Sequence, residues 1–115
     1  MDAEAQVPVR AAGRREGPVC TLGLDLGTSS AKAVVVEVGG KVLAQASAEY
    51  AVISARAGYA ESEPAHWWSA VTACAREALY AAAARPAAIG LSGQMHGLVL
   101  ASADGAALRP ALLWA

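Results

Sequence analysis

Three strand-forming stretches follow one another between residues 19 and 53, and only short turns separate them. Val19–Asp25 is mostly apolar, Lys32–Val38 is rich in β-branched valine, and Lys41–Ile53 alternates small apolar residues with polar ones. Gly39-Gly40, between the second and third stretches, is typical of a two-residue hairpin turn. Because such connections are too short for a helical crossover, the sequence predicts an antiparallel three-stranded unit.

One long helix is predicted after this unit. Ser54–Ser62 is expected to form a loop, and Pro64 favours the first helical turn, where its missing N–H costs nothing. Pro86 disfavours helix in the residue before it, which predicts a helix end near Arg85. Apolar residues at helical spacing predict the face that packs on the sheet: Trp67, Trp68, Val71, Cys74, Ala75, Ala78 and Leu79.

A fourth strand and a further hairpin complete the predicted elements. Ala87–Leu91 is short and apolar, whereas Ser92–Gly97 is too polar and glycine-rich for a strand interior. Leu98–Ala101 and Leu108–Trp114 flank a turn signal at Asp104-Gly105. This order predicts an α/β fold, a mixed sheet with one long helix. It is similar to the first part of the N-terminal lobe of the ribonuclease-H-like (actin-like ATPase) fold.

Composition narrows the class of protein. Apolar residues make up 56% of the chain and the net charge is −1, which suits a buried α/β sheet and gives no reason to expect nucleic-acid or membrane binding. Cys20 and Cys74 form no metal-binding pattern; we expect buried free thiols and a cytoplasmic protein. Met1–Pro18 has no apolar periodicity and lacks a secretory signal, so we predict a disordered tail over residues 1–18.

The connection between the first two strands has the groups needed to bind a polyphosphate. Its glycine allows close approach to the backbone, and successive N–H groups in such a turn can form an anion-binding concavity. Three hydroxyl side chains and a lysine add donors, and its aspartate suits Mg²⁺, directly or through water. The spacing of a Walker A loop is absent, and an ordinary hairpin turn is the alternative. The candidate cofactor-binding residues are Asp25, Gly27, Thr28, Ser29, Ser30 and Lys32, with Asp25 as the metal ligand.

The stretch Leu22–Lys32, Leu-Gly-Leu-Asp-Leu-Gly-Thr-Ser-Ser-Ala-Lys, resembles the opening phosphate loop of the FGGY carbohydrate kinases. The resemblance implies ATP and Mg²⁺ as cofactors. It also implies that Asp25 assists metal and phosphate chemistry, while the hydroxyl side chains and Lys32 lie at the nucleotide phosphates. Related loops occur in other actin-like ATPases, so this motif indicates the superfamily more than the substrate.

The second motif, Ser92–Gly97, combines glycines with polar side chains after a strand, at an edge where open α/β sheets bind ligands. Gln94 and His96 can hydrogen-bond sugar hydroxyls, and Met95 can pack on a carbon skeleton. The alternative for His96 is a structural histidine. The string resembles the sugar-binding segment of the xylulokinases, and similar strings occur in kinases for related ketoses. It therefore favours D-xylulose as the substrate.

The resemblance runs from about Val19 to Ala115 and implies the N-terminal part of an FGGY kinase domain, residues 19–115, incomplete. The general-base Asp of such enzymes is expected beyond Ala115, so no catalytic residue is assigned and the chain alone is expected to be inactive. Three alternatives stay open: a kinase for another ketose or polyol, a truncated non-catalytic binding module of the same fold, and an actin-like chaperone ATPase, which the second motif disfavours. The expected partner is a small sugar, and a homodimer of a full-length protein stays open.

Overall fold

The computed structural model describes residues 18–114, and the predicted tail lies outside the described residues except for Pro18. The strands are β1 (Cys20–Leu26), β2 (Ser30–Glu37), β3 (Val42–Glu49), β4 (Glu61–Ser62), β5 (Ala88–Gly93) and β6 (Ala111–Leu112), and the helix is α1 (Pro64–Ala82). Among residues 18–114, no helix combines the length and apolar character needed to cross a lipid bilayer.

Four strands form a mixed sheet in the order β3-β2-β1-β5. β1 and β2 pair antiparallel, as do β2 and β3, which confirms the predicted hairpin unit. β5 returns through α1 and lies parallel to β1. The parallel pairing places the carboxyl ends of β1 and β5 at the same edge of the sheet.

The core lies between α1 and one face of this sheet. Alternate residues of β1 and β2 point toward the helix, and two of them, Ala31 and Ala33, are alanines, so the helix can approach the strands closely. Both cysteines are buried and free, as predicted. The buried cluster comprises Cys20, Leu22, Ala31, Ala33, Val35, Tyr50, Ala70, Val71, Cys74 and Ala78.

The helix differs from its prediction at two points. It ends at Ala82, three residues before the predicted end near Arg85, and the next residue, Ala83, adopts the left-handed conformation with φ 49°. The chain must reverse there, because the Ala87 N–H already bonds the Cys20 carbonyl at 2.9 Å. Trp68 was expected on the packing face and is 71% exposed. Consecutive residues of a helix are rotated by about 100°, so Trp67 packs against the core as predicted, whereas Trp68 points away from it.

The strands also depart from the predicted bounds. β3 ends at Glu49 rather than Ile53, because its partner β2 begins at Ser30, opposite Glu49. β5 continues through Ser92 and Gly93, which were predicted to lie outside a strand, because both pair with β1.

The remaining short strands form a separate small sheet. Its strands β4 and β6 pair antiparallel, so the predicted loop over residues 54–62 ends in a strand. The predicted hairpin after Gly97 is reduced to two isolated bridges, Leu98 with Leu112 and Ala101 with Ala107, around a turn in which Gly105 has φ 89°.

Candidate functional site at the shared end of β1 and β5

The β1–β2 turn, residues 27–29, is a tight reversal at the carboxyl end of β1. The Gly27 N–H bonds the Ser30 carbonyl at 2.8 Å. A Cβ atom at Gly27 would lie 3.1 Å from that carbonyl oxygen, so a larger residue would require the turn to shift by a few tenths of an ångström. Glycine therefore suits the close approach of backbone to backbone at this position.

Asp25 and Lys32 lie on the two sides of this turn. They are directly paired across β1 and β2, and both are exposed on the face opposite α1. Within residues 18–114 the one ion pair joins Arg109 to Glu61, so Asp25 and Lys32 do not form a direct ion pair. A positive and a negative group thus stand side by side at the end of the sheet, each available to a ligand.

The end of β5 lies against the end of β1. In the parallel pairing, Asp25 lies opposite Ser92 and Leu26 lies opposite Gly93. The Gln94 N–H extends this pairing by donating a 2.8 Å hydrogen bond to the Leu26 carbonyl. At Gly93 a Cβ atom would meet the Leu26 carbonyl oxygen at 3.2 Å. Gly93 therefore allows the second motif to begin in contact with the first.

An open depression of about 850 Å³ covers the sheet face opposite α1 and reaches this edge. Asp25, Lys32 and Ser92 line its end, and Gln45 and Ser47 of β3 line its side. A volume of this size is within the range of small-molecule sites.

The second motif leaves β5 in an unusual conformation. His96 has φ 63°, in the left-handed region that residues other than glycine rarely adopt. His96 is exposed, and Met95 is 71% exposed. The Gln94 Oε1 atom is buried and has no hydrogen-bond partner in the described part of the chain. An unpaired buried acceptor of this kind is costly, so it is a candidate acceptor for a ligand hydroxyl.

The small sheet holds the far end of the second motif. Leu98 and Leu112 exchange two backbone hydrogen bonds, of 2.8 and 3.0 Å, which ties the chain after Gly97 to β6. Buried Ser62 of β4 accepts a 2.8 Å hydrogen bond from Trp67 Nε1, and Arg109 pairs with Glu61. These contacts connect the second motif to the start of α1.

The donor set at the turn fits a magnesium nucleotide. No group of three or more His, Cys, Asp or Glu side chains is present between residues 18 and 114. Asp25 lines the end of the depression and has a carboxylate of the kind that binds Mg²⁺. Mg²⁺ usually takes one or two protein carboxylates together with phosphate oxygens and water, which is the coordination that one Asp and a polyphosphate would give.

Sequence reasoning missed Tyr50. Its side chain is 8% exposed, and its hydroxyl lies against the carbonyl oxygens of Gly27 and Ser30, at 3.0 Å from the latter. Burial raises the pKa of this phenol, with smaller contributions from Asp25 and Cys74. It also missed Gln45 and Ser47. The alternation of β3 contained the signal for their shared face, but their closeness to Asp25 depends on the pairing register.

The chain is similar in sequence to known proteins. Residues 20–115 match the N-terminal domain of the FGGY family of carbohydrate kinases. The xylulose kinase of Streptomyces rubiginosus is 44% identical over 100 residues, which cover 86% of this chain and 20% of that enzyme.

Two solved structures are similar in fold. A xylulose kinase from Rhodospirillum rubrum superimposes with a TM-score of 0.78 at 35% identity, covering 81% of this chain and 20% of that one. A gluconate kinase from Lactobacillus acidophilus superimposes with a TM-score of 0.80 at 30% identity, and the match covers 85% of this chain and 20% of that one. The chain spans 19–20% of the length of the curated relatives it matches.

Proposed function

Because the chain belongs to the FGGY family of carbohydrate kinases and has their actin-like ATPase fold, we propose that it forms part of an ATP-dependent ketopentose kinase. The proposed reaction converts D-xylulose to D-xylulose 5-phosphate. The sugar hydroxyl oxygen forms a bond to the γ-phosphorus, the β–γ bridging P–O bond breaks, and ADP leaves. In this proposal the hydroxyl proton passes to a general-base aspartate of the kinase that is not among residues 18–114.

The observation that supports this proposal most strongly is the contact between the two motifs. The backbone bond from Gln94 to Leu26 and the register of Asp25 with Ser92 join a turn suited to phosphate and a segment suited to a polyol at one edge. Phosphoryl transfer needs both substrates held in line at short distance, and most of its catalysis comes from positioning and charge neutralisation.

Each group has a defined task in this proposal. Backbone N–H groups and the Thr28, Ser29 and Ser30 hydroxyls of the turn hold phosphate oxygens, and Lys32 offsets their charge. Asp25 would hold Mg²⁺, which supplies further charge neutralisation at the phosphates when bound.

The sugar side of the site uses the second motif. Gln94 and His96 orient hydroxyls, and Met95 covers carbon atoms of the chain. The exposed Met95 side chain would be covered by the bound sugar. We further propose a cytoplasmic reaction, which the two reduced, buried thiols support.

A second candidate substrate is a sugar acid. The similarity to a gluconate kinase at a TM-score of 0.80 favours it, because this fold accommodates that activity in a relative. A gluconate carboxylate would require a cation near the second motif. Lys32 is the cation that lines the depression, and in the ketopentose kinase proposed above it binds the nucleotide phosphates rather than a sugar carboxylate.

A segment exchange tests the function. Residues 20–114 would replace the matched segment of the Streptomyces rubiginosus xylulose kinase, and ADP release would be measured with D-xylulose, D-ribulose, gluconate and glycerol. We expect the highest kcat/KM with D-xylulose. A folded chimera that prefers gluconate would support the second candidate, and one that phosphorylates none of the four would refute the proposal.

Two substitutions in the chimera separate the half-sites. His96→Ala should lower kcat/KM for the sugar by roughly tenfold or more, the effect of one lost directed hydrogen bond, and leave ATP binding unchanged. Asp25→Asn should raise the Mg²⁺ concentration needed for half-maximal rate and leave sugar binding unchanged.

A further inference from the structure

We propose that Tyr50 is a positioning residue for the phosphate-binding turn: its hydroxyl and its backbone N–H hold the turn carbonyls, so that the Thr28 amide faces the nucleotide. This inference rests on the proposed function and deepens it. No part of the family resemblance assigned a role to Tyr50.

Tyr50 contacts the turn through both its side chain and its backbone. The Tyr50 hydroxyl is in hydrogen-bond contact with the Gly27 and Ser30 carbonyl oxygens. The Tyr50 N–H donates to the Ser29 carbonyl at 3.0 Å. One residue therefore contacts three of the four carbonyl groups from Gly27 to Ser30.

Peptide geometry converts these contacts into a direction for the amides. In a trans peptide the N–H points opposite to the C=O of the preceding residue, and the described residues contain no cis peptide. The Gly27 carbonyl faces Tyr50, so the Thr28 N–H points away from it. The Ser29 carbonyl faces the Tyr50 backbone, so the Ser30 N–H points away from β3. The Ser30 N–H therefore faces β1, within the hairpin, and the Thr28 N–H is the amide that these contacts direct outward as a donor for a backbone anion site.

The phenol is well placed to hold this arrangement. Its ring belongs to the buried cluster between α1 and the sheet, so its position is fixed by packing rather than by the turn. A phenol is protonated at neutral pH, and burial raises the pKa of Tyr50 further, so its hydroxyl can donate its proton to a carbonyl oxygen. Loss of the hydroxyl would free the Gly27 carbonyl and allow the Gly27–Thr28 peptide to rotate.

Nuclear magnetic resonance of the 115-residue chain tests the proposal, with Tyr50→Phe as the variant and inorganic triphosphate with Mg²⁺ as the probe. In the unmodified chain we expect triphosphate to shift the Thr28 amide signal. In Tyr50→Phe we expect the affinity to fall about tenfold, as for the loss of one hydrogen bond of ordinary strength. The Gly27 carbonyl ¹³C signal should move in the variant without any ligand.

The control is Tyr59→Phe, since Tyr59 is an exposed tyrosine that stacks with Arg56 and is remote in sequence from the turn. It should change neither the Gly27 carbonyl signal nor the triphosphate affinity. The affinity of Tyr50→Phe for D-xylulose, read at the Gln94 and His96 amides, should also stay unchanged. A role confined to general stability would not separate the two ligands in this way.

The outcomes distinguish this inference from the proposed function. Equal triphosphate affinity in Tyr50→Phe and the unmodified chain overturns the role of Tyr50 and leaves the proposed function standing. Absence of triphosphate shifts in the unmodified chain overturns both. Loss of dispersed signals throughout the sheet in Tyr50→Phe would assign the hydroxyl to the stability of the whole unit and also overturn the proposal.

Discussion

Replacing Gly93 with alanine tests whether the contact between β5 and β1 builds the site. The added Cβ atom would lie 3.2 Å from the Leu26 carbonyl oxygen and 3.6 Å from the Leu26 Cβ, so the backbones must separate by a few tenths of an ångström. β1 is held between β2 and β5, whereas β5 is an edge strand, so β5 should move. The 2.8 Å bond from the Gln94 N–H to the Leu26 carbonyl should lengthen as a result.

Overpacking of this kind, with one weakened hydrogen bond, should lower the free energy of unfolding by about 1–3 kcal/mol. Gly90→Ala is the matched control, because Gly90 lies in the same strand and a Cβ atom there meets nothing within 4 Å. The control should be neutral, or up to about 1 kcal/mol more stable through the reduced entropy of its unfolded chain.

Urea unfolding followed by tryptophan fluorescence measures both variants, and hydrogen exchange of the Gln94 amide reports the local bond. We expect Gly93→Ala to lose stability and amide protection, and Gly90→Ala to keep both. If Gly93→Ala were as stable as Gly90→Ala and kept the protection of Gln94, the close contact would not constrain the site and the reasoning would be refuted.

Three further predictions concern stability. Burial raises the folded-state pKa of Tyr50 above 10.0 and that of Cys74 above 9.0, so the stability that their protonated forms contribute is complete below those values and is lost as pH rises through the folded pKa. Urea unfolding at increasing alkaline pH should show this loss of stability. The loss should be smaller in Tyr50→Phe. His96→Gly should stabilise the chain by about 1 kcal/mol in urea unfolding, because φ 63° suits glycine, and should weaken D-xylulose binding in the same protein. Ser62→Ala should cost about 1–3 kcal/mol by leaving Trp67 Nε1 without its 2.8 Å partner, whereas exposed Ser69→Ala should cost little; equal losses in thermal unfolding would contradict this.

A fifth prediction concerns association of the chain. Ile89 and Leu91 of β5 lie on the α1 side of the sheet and are 60% and 77% exposed. Exposed neighbouring apolar side chains on an edge strand favour self-association. Leu91→Glu should therefore reduce concentration-dependent light scattering, whereas equal scattering of the variant and the unmodified chain at the same concentration would contradict the expectation.

Local signals in the sequence predicted most of the fold. The valine-rich β2 and the glycine turn at residues 39–40 identified two hairpins because these elements depend on neighbours in the chain. The family predicted from the two motifs and the actin-like fold predicted from the order of the elements are confirmed by the comparisons. The burial of Cys20 and Cys74 is also confirmed.

Features that depend on distant pairing were predicted less well. Ser92 and Gly93 belong to β5 only because they meet β1 in parallel register, and periodicity in a short polar stretch contains no sign of that partner. Tyr50 contacts carbonyl groups 20 and 23 residues earlier, a relation that becomes visible only once the hairpins are folded. The exposure of Trp68 likewise depends on which face of α1 packs on the strands, and the helical spacing of the apolar residues allowed a face wide enough to include it.

The assigned roles of the site residues stay predictions, and they depend on one shared site. Binding of ATP with Mn²⁺ in place of Mg²⁺ tests this most directly, because the paramagnetic ion broadens nearby amide signals. The account predicts broadening both at residues 28–30 and at residues 94–96, with added D-xylulose shifting the second group. Broadening confined to one segment, or D-xylulose shifts elsewhere on the sheet, would contradict a common site for phosphate and sugar.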